Sequence, residues 1–290
     1  MNNVEIETVR EILASSPRPA GLNDRRKRLD ALGTRYSLPA DLRVETADAN
    51  GVAAEWTMAP EAEPARAVLG GYVSGSLDSH RHMIGQAGRE ARSRTLSLAY
   101  RLAPEHPFPA ALEDAIAGYY FLLSQGFDPK RIAVAGESAG GGLAIAMLVS
   151  LRDRGIPLPA CTWCSSSWVD LEAIGGSMTA KASVDPLIQK AYLMELAAAY
   201  LKGADPRTPL ASPLYADLRG LPPMLIQVGS AETLLDDSVR LAGAAGAAGV
   251  RVTLEVWPDM IHAWHLFYPQ LADGRRALAQ VGAFIRSIPS

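Results

Sequence analysis

RIAVAGESAGGGLAIAMLVSLRDRG, residues 131–155, reads as a strand, a sharp turn and a helix. Arg131 to Ala135 is a short, mostly apolar run suited to a buried strand, and Ala139 to Arg154 supplies helix formers until Gly155 stops them. Between them stands Gly136-Glu137-Ser138-Ala139-Gly140, the G-x-S-x-G pattern of a nucleophile elbow. Small flanking residues let such a chain turn so tightly that the Ser138 hydroxyl stands exposed above the sheet. The N-terminus of the following helix points partial positive charge at it. In a Gly-rich chain the pattern alone is weak, and the strand before it and helix after it give it weight.

The alternation of strand and helix extends outward from this stretch. Leu42 to Pro60 alternates in short runs around the turn Asp48 to Gly51, which predicts an antiparallel hairpin opening the sheet. Ala65 to Leu69 and Arg94 to Tyr100 are further strands with a helix over 78–93 between them, and Ala110 to Gln125 is a helix stopped by Gly126. Downstream, strands at Ala160 to Trp168, Pro223 to Gly229 and Arg251 to Val256 alternate with helices at Asp236 to Ala248 and near Ala272 to Ile288. This order predicts an α/β fold with a mostly parallel central sheet flanked by helices. Trp163, Trp168, Trp257 and Trp264 are read as core residues, with a place near the site as the alternative.

Two segments stand outside the alternation. Residues 4–35 predict two helices broken by Ser15 to Gly21, and the run Arg25-Arg26-Lys27-Arg28 in the second is read as a solvated helix face. Asp170 to Pro222 separates two strands by far more than an ordinary connection. It carries one well-marked helix, with Asp185 as N-cap, Pro186 in the first turn and Gly203 after the end. The expected organisation is a catalytic domain of residues 41–169 and 216–290, an N-terminal helical part of a cap at 1–40, and a cap insertion at 170–215 that with the N-terminal part shapes the acyl pocket.

Composition limits the partners. A chain of 290 residues with 48% hydrophobic residues can build one large α/β core. A net charge of −3 leaves no basic excess to hold a nucleic-acid backbone or an anionic membrane surface. The N-terminal MNNVEIETVREIL places acidic residues where a signal peptide is basic, and the longest apolar run, Gly140 to Leu151, is too short to span a bilayer, so a cytoplasmic protein is expected. Cys161 and Cys164 have C-x-x-C spacing, but no second pair exists to complete a zinc site. On a strand, positions three apart face opposite sides, so buried free thiols are expected rather than a bridge.

A serine attacks a carbonyl carbon poorly unless a base takes its proton and a carboxylate orients that base. In an α/β-hydrolase the chain order is serine, acid, histidine. Of the histidines His80, His82, His106, His262 and His265, only the last two follow Ser138. His262 lies in Pro258-Asp259-Met260-Ile261-His262, just past the strand ending at Val256, where a loop can return it to the elbow; His265 falls in what reads as the next helix. The acid should follow the Pro223 to Gly229 strand. Glu232 stands on that loop, while Asp236 and Asp237 open the next helix, where Asp also serves as a cap, so Asp236 stays open as the alternative.

The motifs Gly136 to Gly140, YRLAPEHPFP at 100–109, Val228-Gly229 through Glu232 with Leu234-Leu235-Asp236-Asp237, and Asp259-Met260-Ile261-His262 resemble those of the bacterial hormone-sensitive-lipase family (family IV) of esterases. The similarity covers nearly the whole chain and includes Gly71 to Ser76. It implies an α/β-hydrolase fold with a helical cap, hydrolysis of short to medium acyl esters without metal or organic cofactor, and Ser138 as nucleophile, Glu232 as acid and His262 as base. It further implies a structural turn at YRLAPEHPFP and a homodimer through the edge strand 251–256.

One departure bears on the chemistry. The family's strand before the aromatic residue ends in His-Gly-Gly-Gly, whose glycine N–H groups donate to the oxyanion, whereas this chain has Ala67-Val68-Leu69-Gly70-Gly71-Tyr72. Gly70, Gly71 and Ala139 are the expected oxyanion donors, and the shortfall is expected at the end of the strand before Gly70. A displaced donor costs about 10² to 10³ in turnover, which predicts a slow enzyme. The rival reading is a small-molecule binding protein on a hydrolase fold whose catalysis is impaired by that shortened loop.

Overall fold

Alternate residues of the central strand β5 (Ile132–Glu137) serve two different cores. Ile132 and Val134 join one apolar cluster with Leu112, Ile116, Leu143 and Met147. Ala133 and Ala135 join another, with Met83, Ile84, Leu278 and Val281. The two-residue period of a strand thus builds a sheet covered on both faces. The computed structural model describes residues 3–71 and 76–288.

In chain order the helices are α1 (Val4–Ser15), α2 (Leu22–Gly33), α3 (Leu77–Ala91), α4 (Ala110–Ser124), α5 (Ala139–Asp153), α6 (Ser177–Ala180), α7 (Lys190–Leu201), α8 (Leu235–Ala247) and α9 (Ala272–Ser287). The other strands are β1 (Arg43–Asp48), β2 (Ala53–Met58), β3 (Glu63–Gly71), β4 (Ser93–Leu98), β6 (Cys161–Ser165), β7 (Met224–Gly229) and β8 (Val252–Trp257). The sheet order is β1-β2-β4-β3-β5-β6-β7-β8. β1, β2 and β4 pair antiparallel and every other neighbour pair is parallel. Among the described residues no helix is long and apolar enough to cross a membrane.

Cys161 belongs to the cluster under α3 and α9, and Cys164 to the one under α5 and α8. Both are buried and no disulfide joins them, as their spacing on a strand requires.

Several expectations change in detail. β3 runs to Gly71, beyond the expected end at Leu69, with Gly70 opposite both Ser97 and Ala135 and Gly71 opposite Gly136. The pairing of β3 with β4 shifts register between Glu63 and Ala67. A buried strand end without ladder partners would leave backbone groups unpaired, which the regular register from Ala67 to Gly71 avoids. Tyr72 to Gly75, part of the stretch expected to carry the oxyanion loop, lie outside the described residues. The helix expected from Pro186 begins only at Lys190. Asp185 Oδ1 does accept from Leu187 and Ile188 N–H at 2.9 Å, but its Oδ2 accepts from Thr233 N–H at 2.8 Å, and this anchor holds the chain before the helix can start.

The N-terminal helices and the 170–215 segment share an apolar cluster. Ile6, Val9 and Leu13 of α1 pack with Leu187, Leu193 and Ala197 and with Trp168, Met260 and Phe267 near the carboxyl ends of the strands. The helical cap therefore sits on the same end of the sheet as the elbow.

Candidate active site

Ser138 occupies φ 56° and ψ −122°, a conformation that an L-residue holds only when its surroundings impose it. Three contacts do so: its N–H donates to Ser165 O (2.8 Å), and its carbonyl accepts from Trp168 N (2.8 Å) and Gly141 N (3.0 Å). Gly136 has no alternative, because a Cβ there would stand 2.1 Å from Gly140 O. The end of β5, the start of α5 and the end of β6 thus clamp the elbow. Ala139 is the first residue of α5, so its N–H has no intrahelical acceptor.

Glu232 is fully buried on the loop after β7. Its Oε1 accepts from Gly229 N–H at 2.6 Å and from Ser166 Oγ at 3.0 Å, and its Oε2 lies 3.0 Å from His262 Nδ1. A carboxylate only accepts, so Nδ1 carries the proton and Nε2 is left as the basic nitrogen. Burial disfavours the His262 imidazolium, yet the hydrogen bond and charge of Glu232 outweigh it and hold the His262 pKa above its ordinary value. The two loops meet closely because position 229 is glycine: a Cβ there would stand 2.1 Å from Met260 O.

Asp236 and Asp237 are engaged elsewhere. Asp236 Oδ2 accepts from Ser177 N–H (2.9 Å), and Asp237 Oδ2 from Val169 (3.0 Å) and Asp170 (3.1 Å) N–H. They tie the first turn of α8 to the segment leaving β6. His265 is in a short 3-10 helix and is fully buried. Its Nε2 donates to Gln227 Oε1 (2.9 Å), whose amide nitrogen faces Glu255 (2.8 Å), and its Nδ1 accepts from Ser165 Oγ (2.9 Å). With both ring nitrogens occupied and its pKa pushed down to about 3 by burial, it is a structural group.

Ser138 and His262 line one cavity, with about 960 Å³ of empty volume including its mouth. A second, of about 1040 Å³, is walled by Tyr100, Leu102, Leu143, Leu171 and Leu210. Both reach Ala139, Trp168 and Leu196, so they flank the elbow from two sides. Trp168 is accordingly a site residue as well as a core one. Gly70 and Gly71 sit at the end of β3 beside the elbow's strand, Gly71 paired with Gly136 of β5. Among the described residues no group of three His, Cys, Asp or Glu side chains is arranged to hold a metal ion.

Three features escape sequence reading. Glu137, just before Ser138, faces His80 Nε2 at 3.3 Å, and His80 Nδ1 is 2.6 Å from Ser79 Oγ. Ser166 joins the acid and histidine loops. The basic run is not a solvated face: Arg25 and Arg28, with Arg18, line the cavity of Ser138, and Arg26 is paired bidentately with Glu105 (2.8 and 2.9 Å). Only Lys27 of the run is largely exposed, because helical periodicity turns its neighbours under the cap. Each of these depends on contacts distant in sequence, for which no short motif exists.

A family model for the alpha/beta hydrolase fold matches residues 69–266. An acetyl-hydrolase of Streptomyces hygroscopicus is 50% identical over 238 residues, 81% of this chain and 79% of that protein. An esterase of Acinetobacter venetianus is 34% identical over 220 residues, 76% of this chain and 73% of its own. Among solved structures, an esterase from the bacterial hormone-sensitive lipase family superposes with a TM-score of 0.96 at 47% identity, covering 99% of each chain. An esterase/lipase from an uncultured bacterium gives 0.94 at 44% identity over 98% of each. The chain belongs to the α/β-hydrolase-fold family and, within it, to the bacterial hormone-sensitive-lipase esterases.

Proposed function

We propose that this chain is a serine carboxylesterase that hydrolyses esters with short to medium acyl groups through an acyl-enzyme. The observation that carries the reading is the clamped Ser138 in one cavity with a His262 whose Nδ1 is 3.0 Å from buried Glu232. Ser138 Oγ attacks the carbonyl carbon while its proton passes to His262 Nε2. The C–O bond to the alcohol breaks, and the leaving oxygen takes that proton. Water then attacks the acyl-enzyme with His262 again as base, releasing the acid and restoring Ser138. Glu232 orients His262 and stabilises its charged form. The N–H groups of Ala139, Gly70 and Gly71 are the proposed oxyanion donors.

The acyl chain is assigned to the apolar cavity. Each methylene buried there contributes at most about 0.8 kcal/mol, or roughly fourfold in kcat/KM, until the cavity is filled. The relatives' names, acetyl-hydrolase and esterase, support the reaction class. The open edge of β8 supports pairing with a second copy of the chain. The test is hydrolysis of p-nitrophenyl acetate, butyrate, octanoate and palmitate beside Ser138→Ala. Turnover that disappears in the variant and declines toward palmitate is expected. Turnover equal to that of Ser138→Ala would leave the binding-protein reading in its place.

A further inference from the structure

The cavity around Ser138 and His262 has a cationic wall. Arg18, from the link between α1 and α2, and Arg25 and Arg28, from α2, all line it. Arg25 is committed: its Nη1 is 2.9 Å from Glu195 Oε1 and its Nε donates to Pro19 O at 2.9 Å. Arg18 and Arg28 form no ion pair with a carboxylate among the described residues. Arg18 lies with its guanidinium carbon 3.7 Å over the Tyr192 ring, and Arg28 Nε donates to Ser16 O at 2.6 Å. The carboxylate that acts on Arg18 is Asp185, whose oxygens are taken by Leu187, Ile188 and Thr233. Glu137, the carboxylate in the cavity wall, faces His80 at 3.3 Å.

Both guanidinium groups are half-buried, and burial holds the pKa of each below its ordinary value, with Arg28 adding to the effect on Arg18. Guanidinium groups in a protein stay protonated, so two neighbouring positive charges line the cavity with no carboxylate among the described residues paired to either, an arrangement that a bound anion would complete. The apolar cavity differs. The arginines at its rim are matched, Arg26 by Glu105 at 2.8 Å and Arg101 by Asp114 at 2.7 Å.

Reaction chemistry assigns the two sides. Ser138 and His262 both line the arginine cavity, where the leaving oxygen takes its proton from His262, while the apolar cavity opens beside Ser138 at Ala139 and offers room for a chain but no proton donor from the pair. We propose that the alcohol portion of the substrate carries an oxyanion, a carboxylate or phosphate, bound by Arg18 and Arg28, while the acyl chain fills the apolar cavity. This rests on the esterase reading above and adds its substrate class. Arginine suits either anion because its planar fork can donate two parallel N–H bonds.

The test compares kcat/KM for 4-(butyryloxy)benzoate with that for 4-(butyryloxy)benzamide, so that any general damage to the site cancels in the ratio. Arg18→Gln and Arg28→Gln should each lower the anionic-to-neutral ratio about tenfold, the size expected for one charge-assisted contact. Lys27→Gln, an exposed charge on the same helix, should leave it unchanged. Ratios within twofold of the unaltered protein in both arginine variants would overturn the proposal. So would an arginine dependence confined to an anion on the acyl side, tested with the 4-nitrophenyl monoester of glutarate against 4-nitrophenyl valerate. Calorimetric binding of 4-hydroxybenzoate to Ser138→Ala, with and without Arg18→Gln, decides the matter if neither ester turns over. Binding weakened about tenfold would then support the anion site while the esterase reading fell, and binding insensitive to Arg18 would overturn the site too. Turnover without arginine dependence would leave the esterase and remove only its anionic substrate.

Discussion

Ser166 Oγ donates to Glu232 Oε1 at 3.0 Å and accepts from Ala263 N–H at 3.2 Å, so one hydroxyl ties the proposed acid to the residue after the proposed base, His262. Ser166 itself has a positive φ of 45°, imposed where the chain leaves β6 beside the elbow. Ser166→Ala removes the tie while Gly229 N–H still holds the carboxylate. A fall of about tenfold in kcat with little change in KM is expected, about 1.4 kcal/mol of barrier. An unchanged kcat would show that the Gly229 contact suffices.

The pH profile follows from His262. The free base is the active form, and Glu232 holds the imidazolium pKa above its ordinary value against the effect of burial. kcat/KM should therefore rise with pH through a midpoint above about 6.5 and then level off. In Glu232→Gln the strongest raising influence is gone, and burial is opposed only by the lesser effects of the Asp185 and Glu137 charges. Its midpoint should move to lower pH while the plateau falls by roughly a hundredfold or more. A midpoint that stays in place would separate Glu232 from the titration.

Strain at the elbow is testable as stability. Ser138→Gly removes the side chain that makes φ 56° unfavourable and should raise unfolding stability by about 1 kcal/mol while abolishing turnover. Ser138→Ala keeps the strain and should remain near the parent. Urea unfolding midpoints of the two variants decide it; a Gly variant less stable than the Ala variant contradicts the strain.

His82 and His265 are buried, with pKa values lowered by desolvation to about 4 and about 3. Below pH 6.5 the unfolded chain takes up protons that these sites refuse, so stability falls as pH drops, by up to about 1.4 kcal/mol per unit for each histidine. His82→Phe retains a ring between Tyr36 and Tyr268 but loses the contact to Leu266 O. Its deficit relative to the parent, measured by urea unfolding, should be largest at pH 7 and shrink by about that amount per unit down to pH 5. A constant deficit would mean that His82 protonates without unfolding.

The sheet, its helices and the elbow were legible because each rests on a local signal: two-residue alternation in Ile132 to Ala135, Gly136 before the turn, Gly155 after the helix. Glu232 and His262 were legible by their places after strands, and the structure brings them within 3.0 Å. Asp185 misled because its capping chemistry is real while its second oxygen serves Thr233. The basic run misled for a related reason. Four cations in a row look solvated in sequence, but a helix turns each one about 100° from the next, and α2 directs Arg25 and Arg28 inward. His80 and Ser166 carry no pattern at all, since their roles arise only from partners that the fold delivers.

The bond from Asp185 to Thr233 has a consequence for how substrate enters. Thr233 is the residue after Glu232, so swinging the 170–215 segment away would pull on the acid itself and disarm the enzyme as it opened. The other wall, α2, is held by more than the partly exposed pairs Arg25–Glu195 and Arg26–Glu105: Asp30 Oδ1 accepts from Ser76 Oγ at 2.6 Å, Leu32 packs on the apolar cluster of α1 and α7, and Gly33 lies directly against the Ser79 backbone. Both walls of the cavity are therefore tied to the fold, and the 170–215 wall is tied to the very loop that carries the acid.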